Sequence, residues 1–166
     1  MPGKKTNLSD VNQSIHANIA DSRVGVVVSE WNEEITSALL EGAVNTMKSL
    51  GVKEKNILVH YVPGSFELPM GAKMIAEKLK VDAVICLGCV IQGETRHFEF
   101  ISNAVANGIT TVGLDTNIPV IFGVLTPDNY QQAKDRAGGK HGNKGDEAGA
   151  TAVKMIELKK KLQGRI

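Results

Sequence analysis

The chain has 166 residues, enough for one compact domain and too few for two. Lys and Arg total 19 against 18 for Asp and Glu, a net charge of +1, and that balance excludes the broad basic field of a general nucleic-acid binder. The longest apolar stretch, residues 83–91, is about half of what a helix needs to cross a bilayer, and residues 1–22 lack the apolar core of a secretory signal. Two cysteines cannot staple a domain of this size, so the composition fits a reducing, cytoplasmic setting with neither membrane nor nucleic acid as partner. Seventeen glycines and only seven aromatic residues (four Phe, two Tyr, one Trp) point to tight strand-to-helix turns rather than an aromatic-rich sandwich.

Residues 1–22 are polar and aperiodic, and are expected to form an arm or a loose extra strand; the domain proper is placed at 23–166. The β-branched run from Val24 to Val28 reads as a strand buried on both faces. Ile35, Leu39, Ala43, Met47 and Leu50 then recur at helical spacing, with Gly51 where a left-handed cap is wanted. Residues 57–62 form a second strand ended by Pro63 and Gly64. In the next helix Leu68, Ala72, Ile75, Ala76 and Leu79 share a face, and Pro69 suits its first turn. Residues 83–91 are the third strand. After His97 the β-prone Thr110, Thr111 and Val112 conflict with a helical period of Ile101, Val105, Ile109 and Val112, and the period predicts one helix to about Thr116. A fourth strand covers 120–125. Thr126 as cap and Pro127 as first residue predict a helix from there to about Ala137. Residues 138–145 read as a basic glycine loop and 146–162 as a last helix. Strands alternating with helices give a single-domain three-layer α/β/α sandwich on a four-stranded parallel sheet.

In such a sheet ligands bind beyond the carboxyl ends of the strands, so the residues just past each strand are the ones to read. They are Trp31 and Asn32; Gly64, Ser65, Phe66 and Glu67; Gln92 through His97; and Thr126. A planar aromatic, amides, a carboxylate, hydroxyls, an arginine and an imidazole on one edge suit a planar polar heterocycle with a hydroxylated or phosphorylated partner. Trp31 can be a stacking platform or a core or interface residue. His97 can be structural or, opening a helix whose dipole disfavours its protonated form, an acid/base near neutral pH. His16, His60 and His141 read as structural or solvated. Arg136, Lys140 and Lys144 among Gly138, Gly139, Gly142 and Gly145 can form either an anion nest or a flexible basic loop.

Cys86 and Cys89 make a C-x-x-C, but residues three apart in a strand face opposite ways and cannot share a metal or a disulfide. His97 and Glu99 match half of a zinc deaminase signature whose downstream cysteine pair is missing. Ser65 lacks the second glycine of a nucleophile elbow, and no P-loop or dinucleotide fingerprint is present.

Taken together, Trp31-Asn32 after a GVVVS strand, the run from Val62 to Pro69, the run from Gly88 to Glu99, the run from Phe122 to Thr126 and the run from Arg136 to Gly145 resemble the 6,7-dimethyl-8-ribityllumazine synthase family. The likeness covers residues 23–162 in order and with family spacing. It implies a flavodoxin-like strand order 2-1-3-4 and a transferase of riboflavin biosynthesis. That enzyme condenses 5-amino-6-(D-ribitylamino)uracil with 3,4-dihydroxy-2-butanone 4-phosphate, without metal or organic cofactor. Carried over by position, Trp31 stacks on the pyrimidine, where many members have phenylalanine. Asn32, Ser65, Phe66 and Glu67 line the uracil and ribityl pocket, and Val90 and Ile91 present backbone groups to the ring. Thr95 and Arg136 hold the phosphate beside the backbone of Gly93 and Glu94, and His97 transfers protons. Phe122, Arg136 and Lys144 come from a neighbouring subunit in a ring of five. The compact 138–145 loop further resembles that of members which build a sixty-subunit icosahedral shell. The same pocket kept without catalysis would make a lumazine- or flavin-binding protein, and a riboflavin synthase of similar fold is a second rival.

Overall fold

The computed structural model describes residues 7–11, 15 and 18–164. Four short runs of apolar and β-branched residues become the parallel strands β1 (Val24–Ser29), β2 (Ile57–Val62), β3 (Ala83–Cys89) and β4 (Val120–Leu125), ordered β2-β1-β3-β4. Register runs Val24 to Ile57 and Ala83, and Val84 to Val120, so the carboxyl ends line up along one edge. Three long helices alternate with them: α1 (Glu33–Ser49), α2 (Leu68–Lys78, with Pro69 in its first turn) and α3 (His97–Thr116). The fold is the three-layer α/β/α sandwich that the alternation predicts.

Alternating side chains of the strands feed two cores. Val24, Val26, Val28, Ile85, Leu87 and Cys89 pack with Leu39 and Met47 of α1 and Val153 and Ile156 of the last helix. Val27, Val84, Cys86 and Val124 pack with Leu68 and Ala72 of α2 and Val105 and Ile109 of α3. Cys86 and Cys89 therefore sit in different cores, free and buried, as their odd spacing requires.

α3 stays helical through Thr110, Thr111 and Val112, because Val105, Ile109 and Val112 bury one stripe and the two threonine hydroxyls bond back to Ala106 and Asn107 carbonyls at 2.9 Å. Asn117, left-handed at φ 54°, ends it.

Three boundaries differ from expectation. β3 stops at Cys89 rather than residue 91, because β4 ends at Leu125 and Pro127 beyond it has no N–H for the ladder. The fourth helix, α4 (Tyr130–Asp135), starts past Thr126: Asn129 caps it by accepting from Gln132 N at 3.0 Å, and asparagine is the stronger cap. Gln132 then reaches back, its Oε1 accepting from Asp128 N at 3.0 Å, one residue ahead of the cap, which ties the incoming chain to this start. Residues 138–145 are not a free loop. They contain an antiparallel pair, β5 (Ala137–Gly139) and β6 (Gly142–Asn143), and the last helix, α5 (Lys144–Leu162), begins two residues earlier than expected, capped by the Asn143 side chain accepting from Gly145 N at 2.7 Å.

α5 crosses α1 closely. A Cβ at Gly149 would lie 2.7 Å from the Ala43 carbonyl oxygen, so only glycine permits this approach. No strand forms among the described residues of 1–22. Their last stretch is nevertheless held: Ile19 is buried in the core, Lys160 Nζ donates to the Asn18 carbonyl at 2.6 Å, and Asn56 Nδ2 donates to the Ala20 carbonyl at 3.2 Å. His16 lies outside the described residues.

Candidate active site

Each strand delivers its following residues to the same edge. After β1, Glu30 N and Trp31 N donate to the Val62 and Pro63 carbonyls at 2.9 and 3.2 Å, tying the turn to the end of β2. Trp31 is left 72% exposed, its ring free to be a platform. Asn32 adopts the left-handed conformation at φ 61°, which asparagine tolerates better than most residues. Its carbonyl accepts from Ile35 N and Thr36 N to start α1, and its Nδ2 reaches across to the Cys89 carbonyl at 2.9 Å. One residue thus starts a helix through its backbone and links the ends of β1 and β3 through its side chain.

After β2, a 3-10 turn (Ser65–Glu67) carries three candidate residues into α2. Ser65 is only 7% exposed, and its Oγ has no hydrogen-bond partner among the described residues. A buried hydroxyl without a partner is costly, and this one lies where a ligand could satisfy it. After β3, Val90 N donates to the Leu125 carbonyl at 2.8 Å, which leaves the Val90 carbonyl as the backbone group available to a ring. His97 is the first residue of α3, exposed, its backbone N–H donating to Thr95 Oγ1 at 3.4 Å.

These pieces enclose a cavity of about 310 Å³ lined by Trp31, Asn32, Ser65, Phe66, Glu67, Val90, Ile91 and His97, together with Gly64, Cys89 and Ile101. Burial pushes the Cys89 thiol up to about 12, so it is no nucleophile there; Cys86, fully buried, is raised for the same reason. Ile101 escaped the sequence reading because its helical period assigned it to the core.

A second cavity of about 310 Å³ collects Arg136 and Lys144 with Thr126, Asp128, Gln132 and Leu8. Lys144 N donates to the Arg136 carbonyl at 2.8 Å, and Arg136 Nη1 donates to the Gln132 carbonyl at 3.3 Å. Lys144 Nζ is 2.5 Å from Glu147 Oε1. The hairpin of β5 and β6 folds the chain back so that two cations eight positions apart share one wall. Within one chain the candidates therefore divide. Gly93, Glu94 and Thr95 lie on the exposed loop before α3 and line neither cavity, and Phe122 faces a third, apolar groove between α3 and α5.

A family model described as 6,7-dimethyl-8-ribityllumazine synthase matches residues 21–160. The chain belongs to that family. A relative from Cytophaga hutchinsonii, named 6,7-dimethyl-8-ribityllumazine synthase, is 60% identical over 94% of this chain and 98% of its own length. Relatives of the same name from Phocaeicola vulgatus and Parabacteroides distasonis are 51% and 53% identical, over 95% and 92% of this chain and 94% and 95% of their own lengths. The match runs from β1 into α5 and includes every residue lining the two cavities except Leu8.

A group outside the family motifs joins the two halves. Tyr130 Oη donates a short hydrogen bond to Glu34 Oε2, Lys134 Nζ lies 3.0 Å from Glu34 Oε1, and the same Nζ sits 5.8 Å from the Tyr130 ring centroid. The tyrosine hydroxyl and the ammonium hold the Glu34 carboxyl below its usual range, while the carboxylate raises Tyr130 and Lys134. The first turn of α1, two residues past Asn32, is thereby clasped to α4, the helix that leads into Arg136. No sequence motif marks it, because Glu34 and Tyr130 are 96 positions apart.

Proposed function

We infer that the protein condenses 5-amino-6-(D-ribitylamino)uracil with 3,4-dihydroxy-2-butanone 4-phosphate, making 6,7-dimethyl-8-ribityllumazine and releasing phosphate and water. The observation that carries this reading is a cavity with one exposed indole, one unpartnered buried hydroxyl and one imidazole at its rim, on a chain of this family. The uracil amine attacks the ketone carbonyl and water is lost to give an imine. Removal of a proton from the carbon beside the imine expels phosphate from the next carbon and leaves an enol, which tautomerises to a new carbonyl; the exocyclic ribitylamino nitrogen attacks that carbonyl, and loss of a second water closes the ring.

The residues divide the work by their chemistry. The Trp31 indole stacks on the pyrimidine. Asn32, with one N–H committed to Cys89, offers its Oδ1, and the Ser65 hydroxyl takes a ring or ribityl partner alongside Phe66 and Glu67. Val90 and Ile91 meet the ring through their backbone. His97 moves the protons. Arg136 and Lys144 bind the phosphate with Thr95 and the backbone of Gly93 and Glu94. Holding both reactants in one orientation can supply an effective molarity of roughly 10⁵ M or more. Acid/base help adds on the order of 10²- to 10⁴-fold.

The phosphate and pyrimidine groups occupy separate cavities of one chain, which supports a site completed by a neighbour's Phe122, Arg136 and Lys144 in a pentamer, and beyond it a sixty-subunit shell. The exposed apolar residues Leu114, Phe122, Met155 and Leu158 along a groove of about 690 Å³ suit burial against another copy. Residues 1–22 act as an arm on a 23–166 domain that works in the cytoplasm.

The test is lumazine formation, followed by absorbance, from the two substrates. Product is expected. A well-folded, oligomeric protein that binds the pyrimidine yet forms no product overturns the reading. Mixing His97→Ala with Arg136→Ala subunits before assembly is expected to restore part of the activity, since some sites then receive both intact groups. No recovery in verified mixed oligomers removes the shared site.

A further inference from the structure

The described N-terminal residues 7–11 lie against the hairpin that carries the anion cavity, with Leu8 in its lining. Leu8 N donates to the His141 carbonyl at 2.8 Å, and Asn143 N donates to Ser9 Oγ at 3.0 Å. The segment is shaped for this contact by a tight turn in which Ser9 N donates to Asn7 Oδ1 at 2.9 Å and Asp10 N to the Asn7 carbonyl at 3.0 Å. The hairpin is shaped for it too. Gly142 sits at φ 81°, and a Cβ there would lie 2.8 Å from Leu8 N and 2.7 Å from Ser9 N. Both the conformation and the room thus demand glycine where the segment crosses.

The segment docks on the stretch of chain that joins the two cations of the cavity. Its anchor residues His141 and Asn143 lie between Arg136 and Lys144 in sequence, and Asn143 caps the helix that Lys144 opens. The Leu8 side chain is half-buried and lines the same cavity as Arg136 and Lys144, the one large apolar side chain brought there by the N-terminal segment. An aliphatic wall beside two cations lowers the local dielectric and strengthens charge-assisted hydrogen bonds to a small anion. It also limits the space for anything bulky attached to that anion.

We infer that residues 7–11 form a wall of the anion cavity, and that Leu8 is a specificity-determining residue which confines it to inorganic phosphate and small phosphate monoesters. This rests on the reading of Arg136 and Lys144 as the phosphate site.

Two variants of the full-length, assembled protein test it. Leu8→Asp places a carboxylate in the wall and is expected to raise the KM for the butanone phosphate and the inhibition constant of inorganic phosphate about tenfold, leaving the pyrimidine KM unmoved. A structural defect at a distance would not divide the two substrates in this way. Leu8→Cys introduces an accessible thiol into a chain whose Cys86 and Cys89 are buried. Saturating inorganic phosphate is expected to slow its alkylation by maleimide at least threefold, and Arg136→Ala is expected to remove that protection. Unchanged phosphate constants in Leu8→Asp, or alkylation of Leu8→Cys indifferent to phosphate, overturn the wall while leaving the phosphate site standing. If phosphate does not inhibit the unmodified protein and Arg136→Ala leaves the butanone phosphate KM unchanged, the phosphate assignment itself fails and takes the wall with it.

Discussion

The two polar cavities are similar in size and differ in how they are held. The one around Trp31 and His97 is mounted on the ends of three paired strands, β1 and β3 buried throughout, fixed by ladder hydrogen bonds and by cross-links such as Asn32 to Cys89. The one around Arg136 and Lys144 is mounted on a short hairpin, a six-residue helix and the N-terminal segment. The first has its backbone anchored to strands that feed the core, although side chains such as Trp31 and His97 project from it exposed; the second owes its shape to caps, turns and a few backbone contacts. A site assembled from strand ends is suited to orienting a planar ring, and one assembled from a glycine hairpin is suited to wrapping N–H groups and cations around an anion.

The sharpest way to separate the halves is to damage one group in each. Arg136→Ala is expected to lower kcat/KM by roughly 10²- to 10³-fold, mostly as a raised KM for the phosphorylated substrate, because the phosphate loses a charge-assisted partner. His97→Ala is expected to lower kcat by about 10- to 100-fold without abolishing turnover, since positioning survives the loss of one acid/base group. Steady-state kinetics with each substrate varied in turn checks both. Equal loss in both KM values for either variant would dissolve the division, and no loss of kcat in single-turnover kinetics of His97→Ala would remove its role.

That division was unequally legible in the sequence. The strand-end half follows from hydropathy: runs such as Val24 to Val28 cannot be solvated, parallel strands align their carboxyl ends, and whatever follows them must meet. Even α3 was readable against the β propensity of Thr110 to Val112, because one face of a 20-residue helix outweighs three local preferences. The hairpin half was legible only as composition. Its basic and glycine residues suggest an anion, yet the choice between loop and hairpin turns on Asn143 outcompeting later caps, and the start of α4 turns on Asn129 outcompeting Thr126. Contacts of Leu8 with His141, or Glu34 with Tyr130, join residues that no local pattern relates.

A smaller effect probes the strand-end half from within. Asn32→Gly keeps the left-handed conformation available while deleting the amide that reaches Cys89. The expected result is a pyrimidine KM raised about three- to tenfold, the equivalent of one lost hydrogen bond, with the phosphorylated substrate's KM unchanged and the far-UV circular dichroism intact. Asn32→Ala, which also strains the backbone, is expected to be worse. Should the two variants match the unmodified protein, the link between β1 and β3 contributes nothing to the cavity.

The smallest effect belongs to the clasp between the halves, and its sign can be worked out in advance. Glu34 is held below its ordinary value of 4.5 by the Tyr130 hydroxyl and then by Lys134. A carboxyl with a lowered folded value contributes stability that is complete above the ordinary value and fades as pH falls through the lowered one. All three groups are at the surface, where solvent and salt weaken such contacts, so the contribution is small. Glu34→Gln should therefore melt slightly below the unmodified protein at pH 7. The gap should narrow as pH drops below 4.5 and shrink with added salt. Because the clasp joins the start of α1 to α4, the same variant should loosen Arg136 more than Trp31, raising the KM of the phosphorylated substrate the more of the two. A melting difference that persists unchanged into acid would mean that Glu34 acts through packing rather than charge.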